Sequence, residues 1–243
     1  MIYKSKPGQV SYGEAMGIIL LDSEAPYIPG DVANATTYDF PIRFQRVPGL
    51  TVKKVMNQDS SLVEAVLDAG RTLKREGVRA ITSDCGFMAK YQQDLVKELN
   101  LPIFLSSLLQ IPFMKLLTPG EAEIGVITAN KRALTPELLR ICEADIPGRI
   151  VIEGLEEEEN FASTFLREEG ILNTVEVEKE VIKVAKKLQK NHPKMGSILL
   201  ECSVLPPYAS AVQNTTGLPV FDFVTMIRYV HSTVVRDRGM GYM

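Results

Sequence analysis

The sequence predicts an α/β protein built as two similar doubly wound parallel-sheet domains related by pseudo-two-fold symmetry. Two observations support this. Strand-length apolar runs alternate with helix-periodic stretches, the pattern of stacked strand-helix-strand units. The chain also repeats itself at a constant offset of 117 residues: Asp84-Cys85, Tyr91 and Leu101-Pro102-Ile103-Phe104 match Glu201-Cys202, Tyr208 and Leu218-Pro219-Val220-Phe221. Each cysteine follows an apolar run and precedes a helix-like stretch and a second short apolar run.

In chain order, the first half offers Met16 to Leu21, Leu50 to Met56, Val78 to Thr82 and Pro102 to Leu105 as strands. The stretch from Ser60 to Glu76 reads as a helix, with Leu62, Val63, Val66, Leu67 and Leu73 on one face and Gly77 as its stop. The second half offers Ile124 to Thr128, Arg149 to Ile152, Ser197 to Leu200 and Pro219 to Phe221 as strands. Helices are expected from Pro136, capped by Thr135, to about Ala144 and from about Val175 to Lys190. In both halves the cysteine comes after the third strand of four. No low-complexity linker divides the halves, and a compact turn is expected near Thr118-Pro119-Gly120. Residues 1–116 plus 219–243 are assigned to the first domain, with Cys85, and 117–218 to the second, with Cys202. Two segments depart from the repeat. Residues 22–48 form a long connection with five Pro or Gly between Pro26 and Pro48, and a loop this long is more often functional than idle. The run Glu156 to Glu159 reads as a solvated helix start.

The bulk numbers exclude several classes of function. A chain of 243 residues with 45% hydrophobic content has enough apolar surface for one large core or two smaller ones. A formal charge of -3 with scattered basic residues gives no nucleic-acid footprint. The run Ile18 to Leu21 is far too short to span a bilayer, and no charged-then-apolar leader precedes it. A soluble, cytoplasmic protein without membrane or nucleic-acid partners is expected. Three cysteines are too few and too spread for a disulfide framework. His192 and His231 lack metal-ligand spacing, so no metal is expected.

The candidate chemistry lies in the matched thiols. In open α/β sheets ligands bind beyond the carboxyl ends of the strands, where Cys85 and Cys202 both fall. A helix N-terminus after each favours an anion, either a substrate carboxylate or the thiolate itself, and would depress the thiol pKa from about 8.5. Gly86 allows close backbone approach to a ligand, while Ser83, Ser203 and Thr128 offer hydroxyls. A cysteine in an apolar context reads equally as a small core residue, and a duplicated fold would copy it. Cys142, at helical spacing from Leu138 and Leu139, reads as core, and Tyr91 and Tyr208 as packing residues. Asp84 and Glu201 either tune the thiols or are satisfied by backbone N–H groups.

At these positions the chain resembles the aspartate/glutamate racemase superfamily, which includes glutamate, aspartate and hydantoin racemases, arylmalonate decarboxylases and maleate isomerases. Gly17 to Ser23 looks like the opening strand, with Asp22-Ser23 at its end. Thr82-Ser83-Asp84-Cys85-Gly86 looks like the first cysteine loop, Gly125 to Ala129 like the strand opening the second half, and Glu201-Cys202-Ser203 stands at the second cysteine loop. Glutamate racemases have Thr-His after the second cysteine, where this chain has Ser203-Val204. The resemblance implies an active site in the cleft between the domains and a cofactor-independent carbon-acid mechanism. One thiolate removes an α-proton and the other thiol returns one to the opposite face. Catalytic roles are thereby expected for Cys85 and Cys202. Contacts to a small carboxylate substrate are expected from Asp22, Ser23, Ser83, Gly86, Thr128 and Ser203, and the protein is expected to be a homo-oligomer. The expected function is a racemase or epimerase of an amino acid or a cyclic derivative such as a hydantoin. The alternatives are a one-cysteine decarboxylase or cis-trans isomerase of the same superfamily, and a non-catalytic small-anion binding protein.

Overall fold

The computed structural model describes residues 2–236 and has two four-stranded sheets among them. The first holds β1 (Met16–Leu20), β2 (Ile42–Arg46), β3 (Ala80–Ser83) and β4 (Ile103–Phe104) in the order β2-β1-β3-β4. The second holds β5 (Glu123–Thr128), β6 (Ile150–Gly154), β7 (Met195–Leu200) and β8 (Val220–Phe221) in the order β6-β5-β7-β8. Every pairing is parallel, and the two orders are the same, so the sequence repeat is a structural repeat. The central strands are covered on both faces. In β1 the residues Met16, Ile18 and Ile19 are all fully buried, as expected of a parallel strand that has no solvent side. Gly17 of β1 admits the adjacent helix closely, since a Cβ there would stand 3.0 Å from a Leu73 methyl.

The helices of the first half are α1 (Val52–Met56), α2 (Val63–Arg75), α3 (Gln92–Leu99) and α4 (Ile111–Leu117). Those of the second are α5 (Pro136–Ile141), α6 (Glu159–Phe161), α7 (Thr174–Asn191) and α8 (Ala209–Thr216), and α9 (Phe223–Val234) closes the described chain. The 117-residue offset holds for α3 and α8 at both ends. Each also stops in the same way, on a left-handed residue: Asn100 at φ 48° and Gly217 at φ 68°. That turn sends the chain back into the Leu-Pro-x-Phe strand that follows in both halves.

Three expectations change. Leu50 to Met56 is not a strand. Thr51 caps α1 by accepting the Lys54 N–H, and the apolar residues behind it fall at helical spacing. The second strand is Ile42–Arg46, inside the segment read as a polar connection. Its alternation of Ile42 and Phe44 with Arg43 and Gln45 is that of an edge strand, which has no continuous apolar run to announce it. The chain also returns to the first half later than residue 219. Val220 and Phe221 pair with β7, and the crossing comes at Asp222, which caps α9 through a capping box with Thr225. Phe223, Met226 and Ile227 of α9 then bury against Met16, Ile18, Ala80 and Phe104 of the first half. No helix among the described residues is long and apolar enough to cross a membrane.

Candidate active site

The two cysteine loops are built alike, one backbone bond at a time. Past β3, the Asp84 N–H donates to Ile19 O at 3.1 Å, and past β7 the Glu201 N–H donates to Ile127 O at 2.8 Å. Each acid therefore extends the parallel ladder by one residue, and the next residue, the cysteine, turns out of the sheet. The turn closes when Met88 N–H reaches Cys85 O at 3.0 Å and Leu205 N–H reaches Cys202 O at 3.1 Å. Within each turn the backbone N–H two residues on, that of Phe87 and of Val204, lowers the pKa of the thiol. The offset of 117 thus relates the two sites down to single hydrogen bonds.

The loops also lock into each other. Ser203 Oγ donates to Asp84 O across the interface between the halves. At the matching place on the other side stands Gly86, and the space a Cβ would fill there is taken by the Glu201 carboxyl. Glu201 is fully buried; its Oε2 accepts from Thr128 Oγ1 at 2.8 Å, and its backbone oxygen accepts from Ser107 Oγ at 3.0 Å. Asp84 is spanned by the Leu21 N–H, at 3.0 Å from Oδ1 and 3.2 Å from Oδ2.

Both thiols open on one cavity of about 40 Å³, whose wall also includes Ser23, Tyr27, Phe87, Phe165 and Ser203. A cavity of that size admits only a few waters, so a substrate must widen it on entry. A wider groove of about 1160 Å³ lies between the N-terminal segment and Lys74 to Arg79, at the opposite end of the first sheet, and contains neither cysteine. Its position at the amino ends of the strands is not where such sheets bind ligands.

Electrostatics in the cavity runs against the expected depression of the thiol pKa. Burial pushes the Cys85 thiol well above its ordinary value, and the neighbouring Cys202, Glu201 and Asp84 push it further; the Phe87 N–H only partly offsets this. Cys202 is raised by burial first and then by Glu201, against the Val204 N–H. Burial also raises the carboxyls, Asp84 to about 7 and Glu201 to about 7. Among the described residues, no Lys, Arg or His lines the cavity.

The other expected site residues divide. Gly86 and Ser203 join the thiols at the interface of the two loops, and Ser23 lies on the cavity wall. Thr128 stands behind the cavity and holds Glu201. Ser83 is fully buried, donates to Leu105 O at 2.6 Å and accepts the Cys85 N–H at 3.4 Å, so it shapes the loop. Asp22 points away: its Oδ2 accepts the Gly49 N–H at 2.7 Å and its Oδ1 pairs with Arg46 at 3.5 Å. Cys142 is buried at the end of α5, and Tyr91 and Tyr208 are buried in the core.

Two groups of site residues were not among those read from the sequence. The first, Tyr27 and Asp31, sits in the long segment after β1. That segment crosses to the second half, where the Val32 N–H donates to Ser203 O at 3.4 Å and Gly30 packs against Pro207. Asp31 is buried, raised by its burial, and acts on Cys202. Its only sequence signal is the length of the segment that contains it. The second group comes from the π-helical turn Ala162–Leu166 after α6: Phe165 and Leu166 wall the cavity. Just beyond, Glu168 Oε1 accepts from Ser23 Oγ at 2.5 Å and from the Glu24 N–H at 3.0 Å, tying this turn to the first half. Nothing in the repeat foreshadows it.

No protein-family model matches the chain. A dimethylsulfoniopropionate lyase of Durusdinium sp. clade D is 30% identical over 217 residues, covering 86% of this chain and 71% of that protein. The chain belongs to the dimethylsulfoniopropionate lyase family. Dimethylsulfoniopropionate lyase 5 of Emiliania huxleyi is 31% identical over 237 residues, which are 93% of this chain and 47% of that protein, so the chain spans about half of that relative's length. Among solved structures, allantoin racemase from Pseudomonas fluorescens superposes with a TM-score of 0.63 at 19% identity, covering 91% of each chain. The fold is that of the aspartate/glutamate racemase superfamily, as the resemblance implied.

Proposed function

We propose that this chain is a cofactor-independent carbon-acid lyase. It takes the α-proton from a small carboxylate that carries a cationic leaving group on its β-carbon, as dimethylsulfoniopropionate does. The observation behind this reading is the cavity itself. Two thiols face it, the Asp84 carboxyl borders it, aromatic rings from Tyr27, Phe87 and Phe165 wall it, and among the described residues no side-chain cation lines it. A sulfonium group suits such a wall, because ring faces and carboxyls attract a cation that has no N–H to satisfy. The relatives' names favour the same substrate class.

The chemistry follows from one thiolate placed against the α-carbon. The Cα–H bond breaks as an S–H bond forms on cysteine. The electron pair becomes the Cα–Cβ double bond, and the Cβ–S bond breaks. Dimethylsulfoniopropionate gives acrylate and dimethyl sulfide, and one proton stays on the enzyme. The step shares α-proton removal with the racemisation expected from the sequence, so one scaffold serves either outcome according to the β-substituent.

To test this, the protein is incubated with dimethylsulfoniopropionate, with dimethyl sulfide read in the headspace and acrylate in solution. Serine in place of whichever cysteine takes the proton, Cys85 or Cys202, should lower turnover at least about 100-fold, the scale of a general base. Turnover by the double variant at the wild-type rate would rule out thiol chemistry. A second reading, racemisation, is favoured by the matched addresses of the thiols. In that case α-hydrogen exchange in D2O on amino acids or hydantoins appears without elimination.

A further inference from the structure

Elimination leaves a proton that racemisation does not. A racemase gains a proton on one thiol and gives one up from the other, so the pair is neutral over a turnover. An elimination ends with the α-proton on sulfur, and neither an alkene acid nor a sulfide takes it back. The thiolate returns only when that proton leaves a narrow cavity of about 40 Å³, in which Cys85 is buried and Cys202 only partly so.

Glu201 is placed for this. It precedes Cys202 in the chain and crosses the interface to lie on Gly86, the residue after Cys85. The side chain is fully buried and held at two points, by Thr128 on Oε2 and by Ser107 on its backbone oxygen. Its other oxygen, Oε1, has no hydrogen-bond partner among the described residues. A buried carboxylate oxygen without a donor is costly, and a proton on it removes the charge that makes it so. Asp84, the counterpart in the first half, differs at this point, because both its oxygens face the Leu21 N–H. The titratable groups around Glu201 are Cys85 and Asp84 of the first loop, Cys202 of its own, and Cys142 at the end of α5; Asp31 stands beyond Cys202 and Asp84. No cation is among the causes of its shift.

We propose that Glu201 acts through the thiols as the acceptor that clears the abstracted proton. This rests on the elimination reading above. The cysteine S–H bond breaks as an O–H bond forms on Oε1, the thiolate is restored, and the carboxyl gives the proton to water as product leaves. The raised carboxyl, at about 7, is half ionised near neutrality and so both takes up and releases a proton there.

Glu201→Gln and Glu201→Asp test this, with dimethylsulfoniopropionate as substrate. In the wild type, kcat should rise with pH through about 7. In Glu201→Gln that rise should vanish and kcat fall at least about 10-fold, while KM stays within about twofold. Glu201→Asp should recover part of both. A second measurement needs no substrate: iodoacetamide alkylation of each thiol, followed by peptide mass spectrometry between about pH 6 and 9. If a thiol and Glu201 share one negative charge, the wild-type rate climbs to about pH 7 and then levels, whereas in Glu201→Gln it keeps climbing. Wild-type alkylation that climbs without levelling, or a Glu201→Gln variant with wild-type kcat and pH profile, would overturn the proposal. Levelling in a wild type that forms no acrylate would leave the proton coupling supported and count against the elimination reading alone.

Discussion

Gly86→Ala puts a methyl group where the Glu201 carboxyl stands. The new Cβ would overlap Oε1 and Cδ and sit 3.0 Å from the Glu201 backbone oxygen. A flexible surface side chain would swing aside at little cost, but Glu201 has nowhere to go. It is fully buried, Thr128 holds Oε2, and Ser107 fixes the backbone oxygen. Relief requires either breaking the Thr128 bond or separating the two halves at this point. Overpacking of this kind costs about 1–3 kcal/mol, and a buried bond to a charged group adds on the same scale. For a chain of 243 residues, about 2 kcal/mol lowers Tm by roughly 4–8 °C. Differential scanning calorimetry at one pH measures this directly. Glu201→Ala removes the obstacle, so the double variant should recover most of the loss caused by Gly86→Ala, a coupling of about 1–2 kcal/mol in a double-mutant cycle. A Tm for Gly86→Ala within about one degree of wild type, or a loss that Glu201→Ala fails to relieve, would refute the interlock.

Two further outcomes follow from the same geometry. Glu201 has a folded-state pKa of about 7, raised from 4.5 by burial, so its contribution to stability is present below about pH 4 and is lost as pH rises through 7. That loss is about 3 kcal/mol, and Glu201→Gln should abolish it; the wild-type urea midpoint should therefore fall relative to the variant between about pH 5 and 8. A constant difference across that range would show that the carboxyl is not buried as a neutral acid. Glu168→Ala removes the shared acceptor of Ser23 Oγ and the Glu24 N–H, which should ease opening by about 1–2 kcal/mol and speed labelling of the cavity thiols by a bulky maleimide roughly 5–30-fold. An unchanged labelling rate would mean that this tie does not limit entry.

Much of the molecule was legible in the chain because it is local and repeated. Parallel strands buried on both faces announce themselves as apolar runs, and the offset of 117 follows from two halves that stop α3 and α8 with the same left-handed turn. The address of both thiols came with that repeat. The edge strand Ile42–Arg46 did not, since half-exposed strands lack a continuous apolar signal, and a Thr cap converted the neighbouring apolar run into α1.

The sequence by itself determined the α/β class, the doubled architecture and the pair of cysteines at the strand ends, because each depends on contacts within one half. Tertiary structure alone decided what surrounds those cysteines. It turned Asp22 outward to Gly49, set Ser83 to shaping its own loop, brought Tyr27 and Phe165 to the cavity wall, and set Asp31 to act on Cys202 and Glu168 to hold Ser23, all from segments with no counterpart in the repeat. It also gave the unlike residues Gly86 and Ser203 their meaning. One leaves space for a carboxyl from the other half, and the other reaches across to a carbonyl. Burial between two halves sets the charge of a thiol and a carboxyl, and burial is a property of the packed pair that no local pattern along the chain encodes.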